Sequence, residues 1–147
     1  MSLKIGDFKK ILIPIDGSDH SIRAAEMGIS LAKLLGASLT FAYVIDKLML
    51  DRFEKEKGLE QLEHELSNDG ERYIKYVSGL AEKNGLPVTS LITKGIPFEQ
   101  ILKLQKEWQS DLIVMGSSGR RGADRILIGS VAQHVIEYAT CPVLVVK

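Results

Sequence analysis

Short apolar runs alternate along this chain with longer stretches of helical spacing. The first run, Ile-Leu-Ile-Pro-Ile at 11–15, ends on Asp16-Gly-Ser-Asp19 and reads as a strand followed by turn and cap residues. Residues 19–35 then place Ile22, Ala25, Ile29, Ala32 and Leu35 on one helical face. Asp19 is placed to cap this helix, and Gly36 stands where a left-handed C-terminal residue is wanted. A second strand is predicted over 38–45. The charged stretch 48–58 shows no period and reads as a mobile loop.

A long helix follows from Leu59, with a stripe at Leu59, Leu62, Leu66, Tyr73, Val77 and Leu80. Asn84-Gly85 and Pro87 stop it. About 25 residues at 1.5 Å each span roughly 38 Å, more than a strand crossover needs, so its first turns should overhang the sheet. Gly70 interrupts the stripe and argues against an unbroken helix. Residues 88–93 form a third strand. Pro97 opens a helix at its favoured first position and buries Ile101, Leu104 and Trp108. Asp111 leads into strand four, 112–115. A last helix covers 129–139, and Cys141-Pro-Val-Leu-Val-Val146 makes strand five.

Five strands alternating with four helices predict a single α/β domain over 1–147, with a doubly wound parallel sheet and helices on both faces. Right-handed crossovers restrict the possible orders, and the common five-stranded doubly wound order is 3-2-1-4-5. Strands one and four are then neighbours at the point where the winding reverses, and ligands bind outside the carboxyl ends of strands there. The two loops meeting at that point are 14–19 and 116–130. The second reads Gly116-Ser-Ser-Gly119, nine residues, then Gly129-Ser130. Strand, glycine-rich loop and helix N-terminus is a layout that presents backbone amides to a phosphate. Ser130 stands where a helix begins, so its hydroxyl could cap the helix or bond an anion.

Composition narrows the function. The 147 residues are 45% hydrophobic and 26% charged, and Lys+Arg balances Asp+Glu at 19 each. That balance argues against a nucleic-acid module, which carries a basic excess or stripe. The single cysteine, Cys141, excludes an internal disulfide, fits a reducing compartment, and reads as a small buried hydrophobe. No apolar run approaches a membrane span and the first ten residues lack a signal-like apolar region, so a cytoplasmic location is expected.

Ile13-Pro-Ile-Asp-Gly-Ser18, Val114-Met-Gly-Ser-Ser-Gly119, Gly129-Ser-Val-Ala132 and the Cys141–Val146 ending together resemble the universal stress protein family, over essentially the whole chain. The Gly-x2-Gly-x9-Gly-Ser spacing is similar to that of its ATP-binding branch. The resemblance implies the doubly wound fold, a dimer, and ATP (or ADP or AMP) as ligand, with Mg²⁺ or Mn²⁺ held mainly by the phosphates. By matching position it implies that Pro14, Ile15, Asp16 and Val44 surround adenine and ribose. Met115 and Gly116 would line the site beside them, and Gly119, Gly129, Ser130 and Val131 would hold the phosphates. The chain departs from the commonest form of the family at Ser118, where many members carry a bulkier polar residue, and at the Trp108-Gln109-Ser110 turn.

The chemistry points to binding more than to turnover. Neither glycine loop supplies the lysine of a Walker A motif, and residues 16–21 lack the Gly-x-Gly-x-x-Gly of a dinucleotide fold. No base or fixed lysine is assigned for phosphoryl transfer, Ser117 has no located partner, and His20, His64 and His134 are scattered as surface or packing residues. Asp16 serves either turn chemistry or a ligand. Arg120, Arg121 and Arg125 are either a solvated stretch or a lid over phosphates. The expected function is a nucleotide sensor or switch in stress or regulation, with at most slow hydrolysis and an unknown protein partner. An ATP-cleaving or adenylating enzyme and a nucleotide-free dimeric module stand as alternatives. The apolar strand 142–146, at a sheet edge, invites a second copy of the chain.

Overall fold

The structure, a computed structural model, describes residues 2–53, 58–118 and 128–147. The elements run β1 (Lys10–Pro14), α1 (Asp19–Leu35), β2 (Ser38–Asp46), α2 (Lys47–Arg52), α3 (Leu59–Lys83), β3 (Val88–Gly95), α4 (Pro97–Glu107), β4 (Leu112–Gly116), α5 (Ser130–Tyr138) and β5 (Val143–Val146). All strand pairs are parallel and the order is β3-β2-β1-β4-β5, the doubly wound order expected from the sequence.

The two faces of the sheet follow from the period-two alternation of strand side chains. Ile11, Ile13, Phe41, Tyr43, Leu112 and Val114 pack with α1 and α3. Leu12, Ala42, Ile113 and Met115 point the other way, onto α4 and α5. Each central strand is buried on both sides, so its sequence is a continuous apolar run rather than an alternating one.

Local chemistry explains the helix ends. Gly36 takes φ 65°, ψ 34° and its N–H bonds the Ala32 carbonyl, closing α1 in the left-handed conformation glycine accepts readily. Ser18, rather than Asp19, caps the start of α1. Its Oγ accepts from the Ser21 N–H at 3.2 Å, and Asp19 is the first helical residue, well placed toward the positive end of the helix. The stretch expected as a mobile loop from residue 48 instead begins with a short helix, α2. Asp46 Oδ1 accepts from the Leu48 and Met49 amides at 2.9 and 3.2 Å, and Leu50 is buried. Six residues give too little length for a helical period to show in sequence.

α3 runs unbroken through Gly70. Its buried residues begin only at Leu66, in keeping with overhanging first turns. Gly70 is there for space: a Cβ at this position would lie 2.5 Å from Cδ1 and 2.8 Å from Cε1 of buried Tyr43. Alanine is better than glycine in a helix by about 1 kcal/mol. Gly70→Ala is nevertheless expected to destabilise by about 1–2 kcal/mol, because the overpacking outweighs the propensity. Combined with Tyr43→Leu, the same alanine should stabilise. Urea melts of the four proteins measure the sign change.

At the end of α4, Gln109 adopts φ 52°, in the left-handed region where a non-glycine residue is strained. The turn is held by Gln105 Nε2 donating to the Ser110 carbonyl at 3.1 Å. Trp108, read as buried, is half-buried against the α4–α5 layer.

Candidate functional site

A cavity of about 380 Å³ opens over the carboxyl ends of β1, β2 and β4, between the starts of α4 and α5. Its size suits a small-molecule ligand. Pro14, Ile15 and Asp16 line it from β1, Val44 from β2, Met115 and Gly116 from β4, and Gly129, Ser130 and Val131 from the start of α5. These are sequence-predicted site residues, and the topology brings them to one place. Gly119, Arg120, Arg121 and Arg125 lie outside the described residues. A second hollow, of about 480 Å³, lies on the α3–β3 surface near Glu71, Ser78 and Ser90, away from both loops.

The first loop is tied to itself. Asp16 Oδ1 accepts from the Ser18 N–H at 2.9 Å and from the Ser18 hydroxyl. Ser21 Oγ donates to the Ser18 carbonyl at 2.9 Å and accepts from the Asp16 N–H at 3.3 Å. Asp16 therefore performs the turn chemistry, and this holds its carboxylate, half-buried, at the cavity.

The second loop is anchored by Ser117. Its N–H donates to the Val146 carbonyl at 2.8 Å, its carbonyl accepts from Gly129 N–H at 2.6 Å, and its Oγ lies 2.8 Å from His20 Nδ1. Sequence reasoning missed this serine–histidine pair because the residues are 97 apart. The pair does not make Ser117 a nucleophile. The side chain is 3% exposed and is not among the cavity's lining residues. It fastens α1 to the end of β4. Gly116 shows the same closeness: a Cβ there would lie 2.8 Å from the His20 carbonyl carbon.

At the start of α5 the structure corrects the expectation for Ser130. Gly129 is the N-cap, at φ −76°, ψ 163°, and no side chain caps the helix. Ser130 is the first helical residue. The first bond of the helix is donated by Gln133 to the Gly129 carbonyl at 2.9 Å. The N–H groups of Ser130, Val131 and Ala132 come before it, so they have no helical acceptor. All three residues line the cavity. A helix of nine residues aims its positive end at the same space. This arrangement can hold an anion without any cationic side chain.

The rest of the wall is mainly apolar. Ile96, Pro97, Phe98 and Ile101 come from the start of α4, and Leu48 and Met49 from α2. His134 also lines it, its ring stacked on Phe98 with centroids 4.5 Å apart. The contributions of α2, α4 and His134 were not legible as site residues, since each reads locally as core, loop or packing. Among the described residues no group of three or more His, Cys, Asp or Glu is placed to hold a metal. Cys141 lies outside the cavity. Burial, and then the nearby Asp111 carboxylate, push its thiol above the usual range, so it is a poor nucleophile. Among the described residues no helix is long and apolar enough to cross a membrane.

A sequence model of the universal stress protein family matches residues 7–147. Universal stress protein MJ0531 of Methanocaldococcus jannaschii is 40% identical over 140 residues, covering 95% of this chain and 82% of that protein. Universal stress protein YxiE of Bacillus subtilis is 30% identical over 147 residues, covering 95% and 99%. Among solved structures, that of MJ0577 superposes with a TM-score of 0.84 at 31% identity, over 95% of this chain and 96% of that one. A universal stress protein from Archaeoglobus fulgidus, solved in complex with dAMP, shares the fold at a TM-score of 0.67 and 20% identity, over 95% and 98% of the two chains. The match along nearly the whole sequence, together with the sheet order and the two glycine loops, places this chain in the universal stress protein family.

Proposed function

We propose that this chain binds an adenine nucleotide in the cavity at the switch point and acts as a nucleotide sensor or switch. The observation that carries the reading is that the Ser130 and Val131 amides have no helical acceptor and open into a cavity whose other walls, among the described residues, are mainly apolar. The phosphates lie on those amides and on the Gly129 turn. The ribose lies by Pro14, Ile15 and Asp16, and the base enters the apolar part by Val44 and Met115. The residues fit such a ligand in size and in polarity. The family's A. fulgidus member in complex with dAMP supports a monophosphorylated adenine nucleoside as a ligand of this fold. A divalent ion, Mg²⁺ or Mn²⁺, would be held mainly by the phosphates and would offset their charge.

Among the described residues the wall offers no paired base and nucleophile, which supports hydrolysis that is at most slow. Gently purified protein, extracted with perchlorate and run on anion exchange, should release an adenine nucleotide. A nucleotide-free protein that also fails to bind ATP, ADP or AMP in calorimetry would refute the reading.

The proposed output is a cytoplasmic homodimer, formed through the β5 edge, that presents nucleotide state to a partner protein. The Pro142 carbonyl accepts from Ile113 of β4 and the Val146 carbonyl from Ser117 just after it. By the alternation of a parallel ladder, Val143 and Val145 turn their main-chain groups outward. Val145→Pro therefore removes an outward donor and keeps the pairing with β4, which proline tolerates at an edge. Sedimentation is expected to shift from dimer to monomer in this variant. An unchanged mass would place the dimer contact elsewhere.

A further inference from the structure

Among the described residues lining the cavity, His134 is the only imidazole. It stands one turn after Ser130 on α5, and its side chain folds back over that turn, the direction helical side chains take. Nδ1 lies 2.6 Å from the Ser130 carbonyl oxygen. A carbonyl only accepts, so Nδ1 carries a hydrogen and Nε2 of the neutral ring is a lone pair. The ring also lies flat on Phe98 of α4, with planes 19° apart. These two contacts fix the ring beside the first turn of α5, and neither uses Nε2.

Among the described residues the charged groups around the ring are few; Arg120, Arg121, Asp124 and Arg125 lie outside them. Asp16 and Asp46 share the cavity, each with one oxygen already bonded within its own loop. α4 meets the ring through Phe98. Glu99 follows Phe98 in the chain, and Lys103 further along α4 pairs with Glu107 at 3.8 Å. α5 itself carries Glu137 one turn on, and β5 carries no charged side chain between Val143 and Val146. The positive end of α5 opposes a cation on its first turns. An anion resting on the Ser130 and Val131 amides reverses that balance.

We propose that His134 reads the charge of the ligand's tail: when phosphates occupy the start of α5, the ring takes a proton from solvent onto Nε2 and pairs with them, so that binding a nucleotide consumes a proton that binding the bare nucleoside does not. This rests on the nucleotide reading above. It adds to it a residue that distinguishes phosphorylated from unphosphorylated ligands and makes affinity depend on pH. The imidazole is suited to this because its ordinary titration range lies near neutrality.

Calorimetry in two buffers of different ionisation heat measures the protons exchanged per ligand bound. ATP's terminal phosphate titrates in the same range, with a pKa of about 6, so the readout is the difference between wild type and His134→Phe, which keeps the stack on Phe98. Wild type should take up several tenths of a proton more than the variant on binding ATP, and about the same as the variant on binding adenosine. From pH 8 to pH 6 the wild-type affinity for ATP should rise by about fivefold or more relative to the variant, since one fully linked proton changes an equilibrium tenfold per pH unit. His134→Gln should behave like His134→Phe. If ATP binds and the three proteins exchange equal numbers of protons, the role of His134 is overturned and the site stands. If neither ATP nor adenosine binds wild type, the nucleotide reading itself has failed.

Discussion

Ser130→Pro is expected to lower the affinity for ATP by about ten- to a hundredfold while leaving the fold intact. Proline is at home in the first position of a helix, where the N–H has no helical acceptor anyway. The residue before it must be extended, and Gly129 already is, at φ −76°, ψ 163°. What the substitution removes is one amide donor at the cavity, and a hydrogen bond to a charged group contributes about 1.5–3 kcal/mol. Ser130→Ala keeps the amide and loses the hydroxyl, so it should cost much less. Adenosine, with no phosphates, should bind wild type and Ser130→Pro alike. Calorimetry gives the affinities and thermal melting checks the fold. Unchanged ATP affinity in a folded Ser130→Pro protein would mean that the phosphates do not rest on α5.

Gly116→Val is expected to destabilise the protein by about 2–3 kcal/mol, a drop in melting temperature of roughly 5–10 °C. Its effect should begin in the fold and reach the ligand only second-hand. The added Cβ would meet the backbone of His20, with the carbonyl carbon at 2.8 Å and the carbonyl oxygen at 3.0 Å. Backbone cannot swing aside as the tip of a side chain can, so α1 must move from the end of β4, and the bond between His20 and Ser117 is strained with it. The control is His20→Ala, which removes the ring but not the clash and should not restore the variant. Urea denaturation measures all three. Wild-type stability in Gly116→Val would show that α1 yields there at no cost.

Most of the architecture was legible because both-faced burial writes strands as unbroken apolar runs. Ile11, Leu12 and Ile13 are all fully buried although neighbours in sequence point to opposite layers. The place of the cavity followed from topology, since only the neighbours β1 and β4 lie where the winding reverses. What escaped the sequence was what depends on contacts distant in the chain. Gly70 reads as a weak spot until Tyr43 is seen against it. Ser117 reads as partnerless until α1 brings His20 to it. His134 reads as a surface or packing residue, and nothing local says that Phe98 will stack on its ring at the cavity. The cap of α1 lies one residue before the expected Asp19, at Ser18, and of the two roles open to the Ser130 hydroxyl, capping is not made, since Gly129 is the N-cap. Serine, aspartate and glycine all serve as caps, and only the backbone angles decide among neighbours.

If the turn at 14–18 and the start of α5 make one anion-binding site for an adenine nucleotide, amide-resolved ¹H–¹⁵N spectra recorded during an ATP titration will show it. The expected result is saturable shifts largest at Ser130 and Val131, with accompanying shifts at Ile15, Asp16, Val44 and Gly116. Saturable shifts confined to the α3–β3 hollow, or no shifts at millimolar ATP, would contradict it.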